Sequence, residues 1–328
     1  MLFYLRALVV VVHCLWVGVA CTCVMCRARY DSRGHILCIH QSSEFSNAKR
    51  SNSSMSPQPE SIKRALFFQS VQGRQILCCL REPMHQSPRA WVLHLPAFAE
   101  EMNKSRHMVT LMSERLALAG FGVMVFDPSG TGDSSGDFSD ARLSHWHAEL
   151  RALIDHLQAI RPLPLFAWGL RFGNLLLNAF DEDELAGALL WQPMASGKEL
   201  INQTLRLRVM SSRMEGVEGE SAKALKARLE AGQVLEVAGY GLHPEMVGGL
   251  EQLSFGVPGA PSAWMELSKA DALPPGRQKL LEGLSREPEL HLLEGEPFWS
   301  TAEIATAPSL LDASEGWIRQ QLETMGEG

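Results

Sequence analysis

The stretch PLFAWGLRFGNLLLNAF, residues 164–180, decides how the rest of the chain is read. An apolar run suited to a buried strand passes through one tight turn into a second apolar run with helical spacing. That is the outline of a nucleophile elbow, G-x-S-x-G, in which small flanking residues let strand and helix pass closely while a strained turn lifts the central side chain above the sheet. Here Gly169 and Gly173 flank Arg171. A guanidinium stays protonated and offers five donors but no lone pair for attack, so Arg171 is suited to orienting or binding an anion and not to being acylated.

On the N-terminal side of the elbow, residues 65–70 and 75–81 predict two strands joined by VQGR, whose Gly73 suits a hairpin turn. WVLHL, residues 91–95, predicts a third strand, and PAFAEEMNKS, residues 96–105, a loop leading into a helix from about Asn103 to Ala119 that stops at Gly120. GVMVF, residues 122–126, is the next strand and runs into the Gly-rich turn DPSGTGDS ahead of a helix over 143–160. That turn has neither G-K-[ST] nor G-x-G-x-x-G, so no nucleotide cofactor is expected there. On the C-terminal side, GALLW, residues 187–191, is a strand, and 198–214 and 221–230 read as helices rich in Arg and Lys. With no strand expected until after Leu253, residues 195–255 predict a helical cap over the sheet. Residues 262–267 and 290–293 supply the last two strands and 308–324 a closing helix. Strands separated by helices predict a mostly parallel sheet with right-handed crossovers, an α/β domain over 61–328.

The 328 residues are 46% apolar and 20% charged, enough to bury a large core, and the formal charge of −7 is made of both signs spread along the chain. A nucleic-acid surface is not expected; a small molecule, or a lipid- or saccharide-linked ligand, is. Oligomeric state is left open. Residues 7–25 carry no acid or base and are just long enough to span a bilayer. Three readings fit the first 26 residues: a signal peptide, a membrane anchor held by Arg27, Arg29 and Arg33, or an upstream extension before a domain start near Ser61. The extension is preferred to the anchor, and residues 27–60 predict a disordered linker. A cytoplasmic protein is expected, membrane-associated if the apolar segment belongs to the mature chain. Five of the seven cysteines precede residue 39; Cys78 and Cys79 point to opposite faces of one strand and predict reduced core residues. No cysteine or histidine set has the spacing of a metal site, and neither metal nor other cofactor is expected.

The order of a His94-Leu95-Pro96 turn, D-P-S-G-T-G-D-S, elbow, cap and final strands resembles the α/β-hydrolase superfamily from about residue 65 to the C-terminus. More narrowly, HLPAFAEEMNKSR (94–106), WGLRFG (168–173), WQPMASGK (191–198), LEVAGY (235–240) and PFW (297–299) are similar to the second hydrolase type associated with exosortase A systems. The resemblance implies an α/β-hydrolase fold and a bacterial protein of exopolysaccharide production and protein sorting. The elbow arginine is part of it.

A serine-type triad needs nucleophile, acid and histidine converging at the carboxyl ends of the strands, in that chain order. Asp271, after the penultimate strand, can fill the acid position, and a solvated loop aspartate is an equal alternative. After the last strand the loop EGEPFW holds no histidine, and His291 falls inside the strand. His94 is expected to brace its loop; His145 and His147, two apart on a helix, do not share a face. Losing a nucleophile alone costs about 10⁶ in turnover in a serine protease, so ordinary serine hydrolysis is excluded. The expected pocket is lined by Pro96, Ala97, Phe98, Glu100, Glu101, Arg171, Phe172, Gln192 and Trp299. Arg171 there either receives a carboxylate or phosphate or is a buried strut to Glu100, Glu101 or Asp271. Ser129, Ser134 and Ser196 are other hydroxyls at this edge, read first as turn residues and caps. Two functions stay open: a hydrolase acting on an ester, thioester or amide through a non-standard site, or a catalytically silent binding or scaffolding protein.

Overall fold

The computed structural model describes residues 62–214, 220–270 and 272–326, together with the backbone of two short strands, β1 (Ala28–Tyr30) and β2 (Ile36–Cys38). These two pair antiparallel, Ala28 opposite Cys38, within a unit spanning residues 1–49; a second unit, 50–328, carries everything else. The expected apolar segment at 1–26, the remaining residues of the expected linker and Asp271 lie outside the described residues. No described helix is long and apolar enough to cross a membrane.

The second unit begins with a hairpin, β3 (Ile62–Val71) and β4 (Arg74–Pro83), longer at both ends than its apolar pattern predicts. Its two-residue turn, Gln72-Gly73, has φ of 50° and 85°, the paired positive values that match the right-handed twist of the flanking strands. The next strands are β5 (Trp91–Leu95), β6 (Gly122–Phe126), β7 (Leu165–Leu170), β8 (Gly187–Trp191), β11 (Ser262–Leu267) and β12 (Glu289–Leu293). Within this unit the eight lie in the order β3-β4-β6-β5-β7-β8-β11-β12. β4 meets β6 antiparallel, and from β6 to β12 every pairing is parallel.

A parallel sheet must be covered on both faces, and the alternation along β7 shows that it is. Leu165 and Ala167 pack with α2 (Leu143–Ile160) and the cap, whereas Phe166, Trp168 and Leu170 pack with α1 (Glu100–Leu118) and α7 (Pro308–Gly326). The parallel strands therefore end along one edge, at Pro96, Asp127, Arg171, Gln192, Ser268 and Glu294, where ligands of open α/β sheets are held.

The cap between β8 and β11 differs from its sequence reading. It contains α3 (Gly197–Met214) and α4 (Ala222–Glu230), but also a small hairpin, β9 (Leu235–Val237) with β10 (Tyr240–Leu242), and α5 (Pro244–Glu251). Three-residue strands are too short to show alternation, and their turn puts Ala238 at φ 51° before Gly239, where Asn or Asp would have signalled it. Likewise α6 (Pro275–Glu282) buries no residue and so leaves no apolar stripe to read.

Candidate functional site

Strand β7 delivers Arg171 to the sheet edge through the expected elbow. A Cβ on Gly173 would sit 2.0 Å from the Leu95 carbonyl oxygen, and one on Gly169 2.4 Å from Asn174 Oδ1, so neither position has room for a side chain. Between them Arg171 is held at φ 54°, a left-handed conformation that costs an L-residue about 1–3 kcal/mol. The helix expected after the turn is present as a 3-10 helix, Arg171–Ala179. The Asn174 carboxamide donates both to the Arg171 carbonyl (3.1 Å) and to that of Trp191 (3.0 Å), tightening the first turn against β8. Ala99 (φ 50°) and Gln192 (φ 47°) are strained in the same way just past β5 and at the end of β8, so three left-handed non-glycine residues gather at this one edge.

Helix α1 starts at Glu100, not at Asn103 as its sequence predicts, because Ala99 begins it with no side-chain cap for sequence reasoning to find. The earlier start places Glu101 in the first turn, where the helix dipole favours an anion. Arg171 donates from Nε (3.2 and 3.3 Å) and from Nη2 (3.0 Å) to the Glu101 carboxylate. Nη2 also donates to Oε1 of Gln203 on α3 (3.0 Å), and Gln203 in turn donates to Glu199. The guanidinium lies over Trp299, 5.5 Å from the ring. Trp299 belongs to the loop after β12, which thus supplies an aromatic face to the guanidinium.

A second arginine stands nearby. Arg277 of α6 donates to the Pro193 carbonyl and pairs with Glu266 of β11 (3.3 Å), whose other oxygen accepts from the Trp264 indole (2.8 Å). Burial pushes the Glu266 carboxyl up from its ordinary range while Arg277, Trp264 and Arg171 pull it back; burial pushes Arg277 down, and Glu266 opposes that. Gln203, Glu266 and Arg277 escape sequence reasoning: none lies in a motif, and only the spacing of Glu199 and Gln203 hints that they share a helix face.

The expected pocket residues divide. Glu101, Arg171 and Trp299 meet. Phe98 and Phe172 pack edge-on at 5.4 Å and join Trp146 and Phe138 in an aromatic core under the cap; with Pro96 and Ala97 they are buried. Gln192 accepts from the Leu267 amide (2.8 Å) and donates its own to Met265, tying β8 to β11. Glu100 is exposed and accepts from the hydroxyl of Tyr240 (3.4 Å), which accepts from Asn103 (2.6 Å), so it is no strut for Arg171. Of the expected carboxylate partners, Glu101 takes that role; Asp271 lies outside the described residues.

His94, His291, Ser134 and Ser196 have partners of their own. His94 Nδ1 donates to the Trp168 carbonyl (3.1 Å), and burial pushes its pKa down to about 3, so it braces β5 against β7 in the neutral form. His291 lies mid-strand opposite Met265, with Nε2 2.9 Å from Glu289. Burial also lowers His145 and His147. Ser134 accepts from the Leu77 amide and donates to the Asp127 carbonyl; Ser196 caps the Glu199 amide. The Ser129 hydroxyl is buried with no hydrogen-bond partner among the described residues. Those residues contain no metal-binding group of His, Cys, Asp and Glu.

No protein-family model matches the chain, and no curated protein matches it by sequence. Solved structures do. Est1E from Butyrivibrio proteoclasticus, determined with bound ferulic acid, is 15% identical with a TM-score of 0.60 over 78% of this chain and 99% of that one. The α/β hydrolase GrgF from Penicillium sp. sh18 is 18% identical with a TM-score of 0.54 over 79% and 99%. Proline iminopeptidase from Mycobacterium smegmatis is 13% identical with a TM-score of 0.51 over 79% and 99%. At such identities the likeness is one of fold, and it is the α/β-hydrolase fold that the motifs imply.

Proposed function

We propose that this chain is a catalytically silent binding or scaffolding protein on an α/β-hydrolase fold, with an anion-accepting position at Arg171. One observation carries the reading: the elbow presents a guanidinium already holding a carboxylate, with the Trp299 ring against it. Glu101 is 24% exposed, against 9% for Arg171, so the carboxylate side of the pair faces water and is the half that a ligand carboxylate or phosphate can replace. Such an exchange is close to neutral by itself, because one anion substitutes for another. Net affinity must come from the rest of the ligand, which fits an acidic group on a lipid or saccharide carrier. The motif resemblance supports a setting in exopolysaccharide and exosortase A systems.

The test is thermal unfolding with octanoate and octyl phosphate as probes. At least one should raise the midpoint of the wild type and lose its effect on Arg171→Ala. If neither shifts the wild type, or both shift the two proteins equally, the proposal fails.

A second reading keeps enzymatic turnover of an ester, thioester or amide by a non-standard site. What favours it is the retained strain at Arg171 between two glycines that tolerate no side chain, a feature concentrated at functional sites. Fluorophosphonate labelling followed by mass spectrometry separates the two. A stoichiometric adduct on Ser129, Ser134 or Ser196 would establish a displaced nucleophile, and an unlabelled protein supports the binding reading.

A further inference from the structure

Helix α3 buries Leu200, Ile201, Leu205 and Ser212 against the rest of the molecule, yet its opposite side is not polar. Leu207, Met210 and Met214 are 59, 61 and 89% exposed. At 100° per residue they fall within about 60° of arc, on the solvent side of the helix between the buried face and the arginines. Arg206 and Arg213 are exposed along one flank of this stripe and form no ion pair among the described residues; Arg208 lies on the buried side of the helix, where it pairs with Glu220 at 3.2 Å. The helix carries three arginines and one lysine against one acid, in a chain whose formal charge is −7.

We propose that the outer face of α3 seats the protein on an anionic phospholipid surface. An apolar strip bordered by exposed arginines fits an interfacial helix: the strip enters the acyl boundary while the guanidiniums of Arg206 and Arg213 remain at headgroup level beside phosphate. Charge complementarity selects this occupant. A second copy meeting the same face across a two-fold axis would bring Arg206 and Arg213 toward their own counterparts, and three exposed apolar side chains fall well short of the roughly 800 Å² per partner of a stable dimer. The contact needs neither the elbow nor Arg171, so it stands or falls separately from the binding function proposed above.

The two methionines supply the readout in the full chain. Hydrogen peroxide transfers one oxygen to an exposed thioether sulfur and leaves water, and burial in lipid slows the reaction. Met84 and Met325, 36 and 48% exposed outside the cap, serve as internal references. With saturating vesicles of phosphatidylglycerol and phosphatidylcholine, oxidation of Met210 and Met214 should slow by roughly fivefold or more relative to the references. Pure phosphatidylcholine should give little protection, and Arg206→Glu with Arg213→Glu, both on exposed positions, should abolish it. The proposal is overturned if these methionines oxidise unchanged while the protein co-sediments with anionic vesicles, which would place the contact elsewhere in the chain. It is equally overturned by protection that is the same on neutral lipid and indifferent to the arginine changes, or that appears without vesicles as protein concentration rises, the mark of a second copy.

Discussion

Two arginine–glutamate pairs hold the loops at the carboxyl edge of the sheet, and they differ in which partner is sealed from water. Glu149 of α2 is fully buried; it accepts from Arg74 Nε (2.8 Å) and from the Ser129 amide (3.0 Å), fixing the Gly-rich turn after β6. At the elbow the arginine is the sealed partner and Glu101 keeps a route to solvent. A carboxylate with no exit makes its pair structural. A carboxylate that can turn outward makes its pair exchangeable, and the exchangeable pair is the one on the strained residue.

Stability measurements can break this contrast. Arg74→Ala leaves Glu149 buried with one amide donor, and denaturant unfolding should show a loss of about 3–5 kcal/mol. Arg171→Ala leaves Glu101 free to rotate into water, so the loss should be smaller, about 1–3 kcal/mol. Equal losses, or the reverse order, would mean that Glu101 is as confined as Glu149.

A pH series sharpens the account beneath the elbow. His94 titrates near 6.5 when unfolded and near 3 when folded, so between these values the unfolded chain binds the extra proton and stability rises with pH. The contribution of His94 is complete above 6.5 and is lost as pH falls toward 3, with a slope of at most about 1.4 kcal/mol per pH unit. His94→Asn should remove that component from the acid limb of the stability curve; an unchanged limb would show that burial does not hold His94 neutral.

How much of the fold and site is legible in the sequence depends on where the constraints act. The elbow can be read because two glycines that tolerate no Cβ stand two residues either side of Arg171, a local signature that survives in sequence. The loss of the histidine is equally legible, since it concerns which residues come after the last strand. The partner of Arg171 is narrowed to a short set and not chosen, because the choice depends on α1 beginning at Glu100 after an uncapped Ala99. Gln203 and Arg277 are out of reach: they arrive from the cap and from α6 across more than 30 and 100 residues of chain respectively, and no local pattern encodes that approach. Phe98 reads as a pocket residue from its loop after the third strand and Phe172 from its place beside Arg171, whereas their edge-on packing with Trp146 makes them core.

On the binding reading the elbow has no general base waiting beside it: the ring against Arg171 is that of Trp299, and His94 is buried against Trp168. Arg171→Ser tests this most directly, because it restores G-x-S-x-G on a turn already shaped for it. Hydrolysis of a nitrophenyl ester by the serine variant should stay at the level of Arg171→Ala, as an unactivated hydroxyl is a weak nucleophile near neutral pH. Turnover well above the alanine variant, with a covalent acyl adduct on residue 171, would show that a base is in place and would contradict the account.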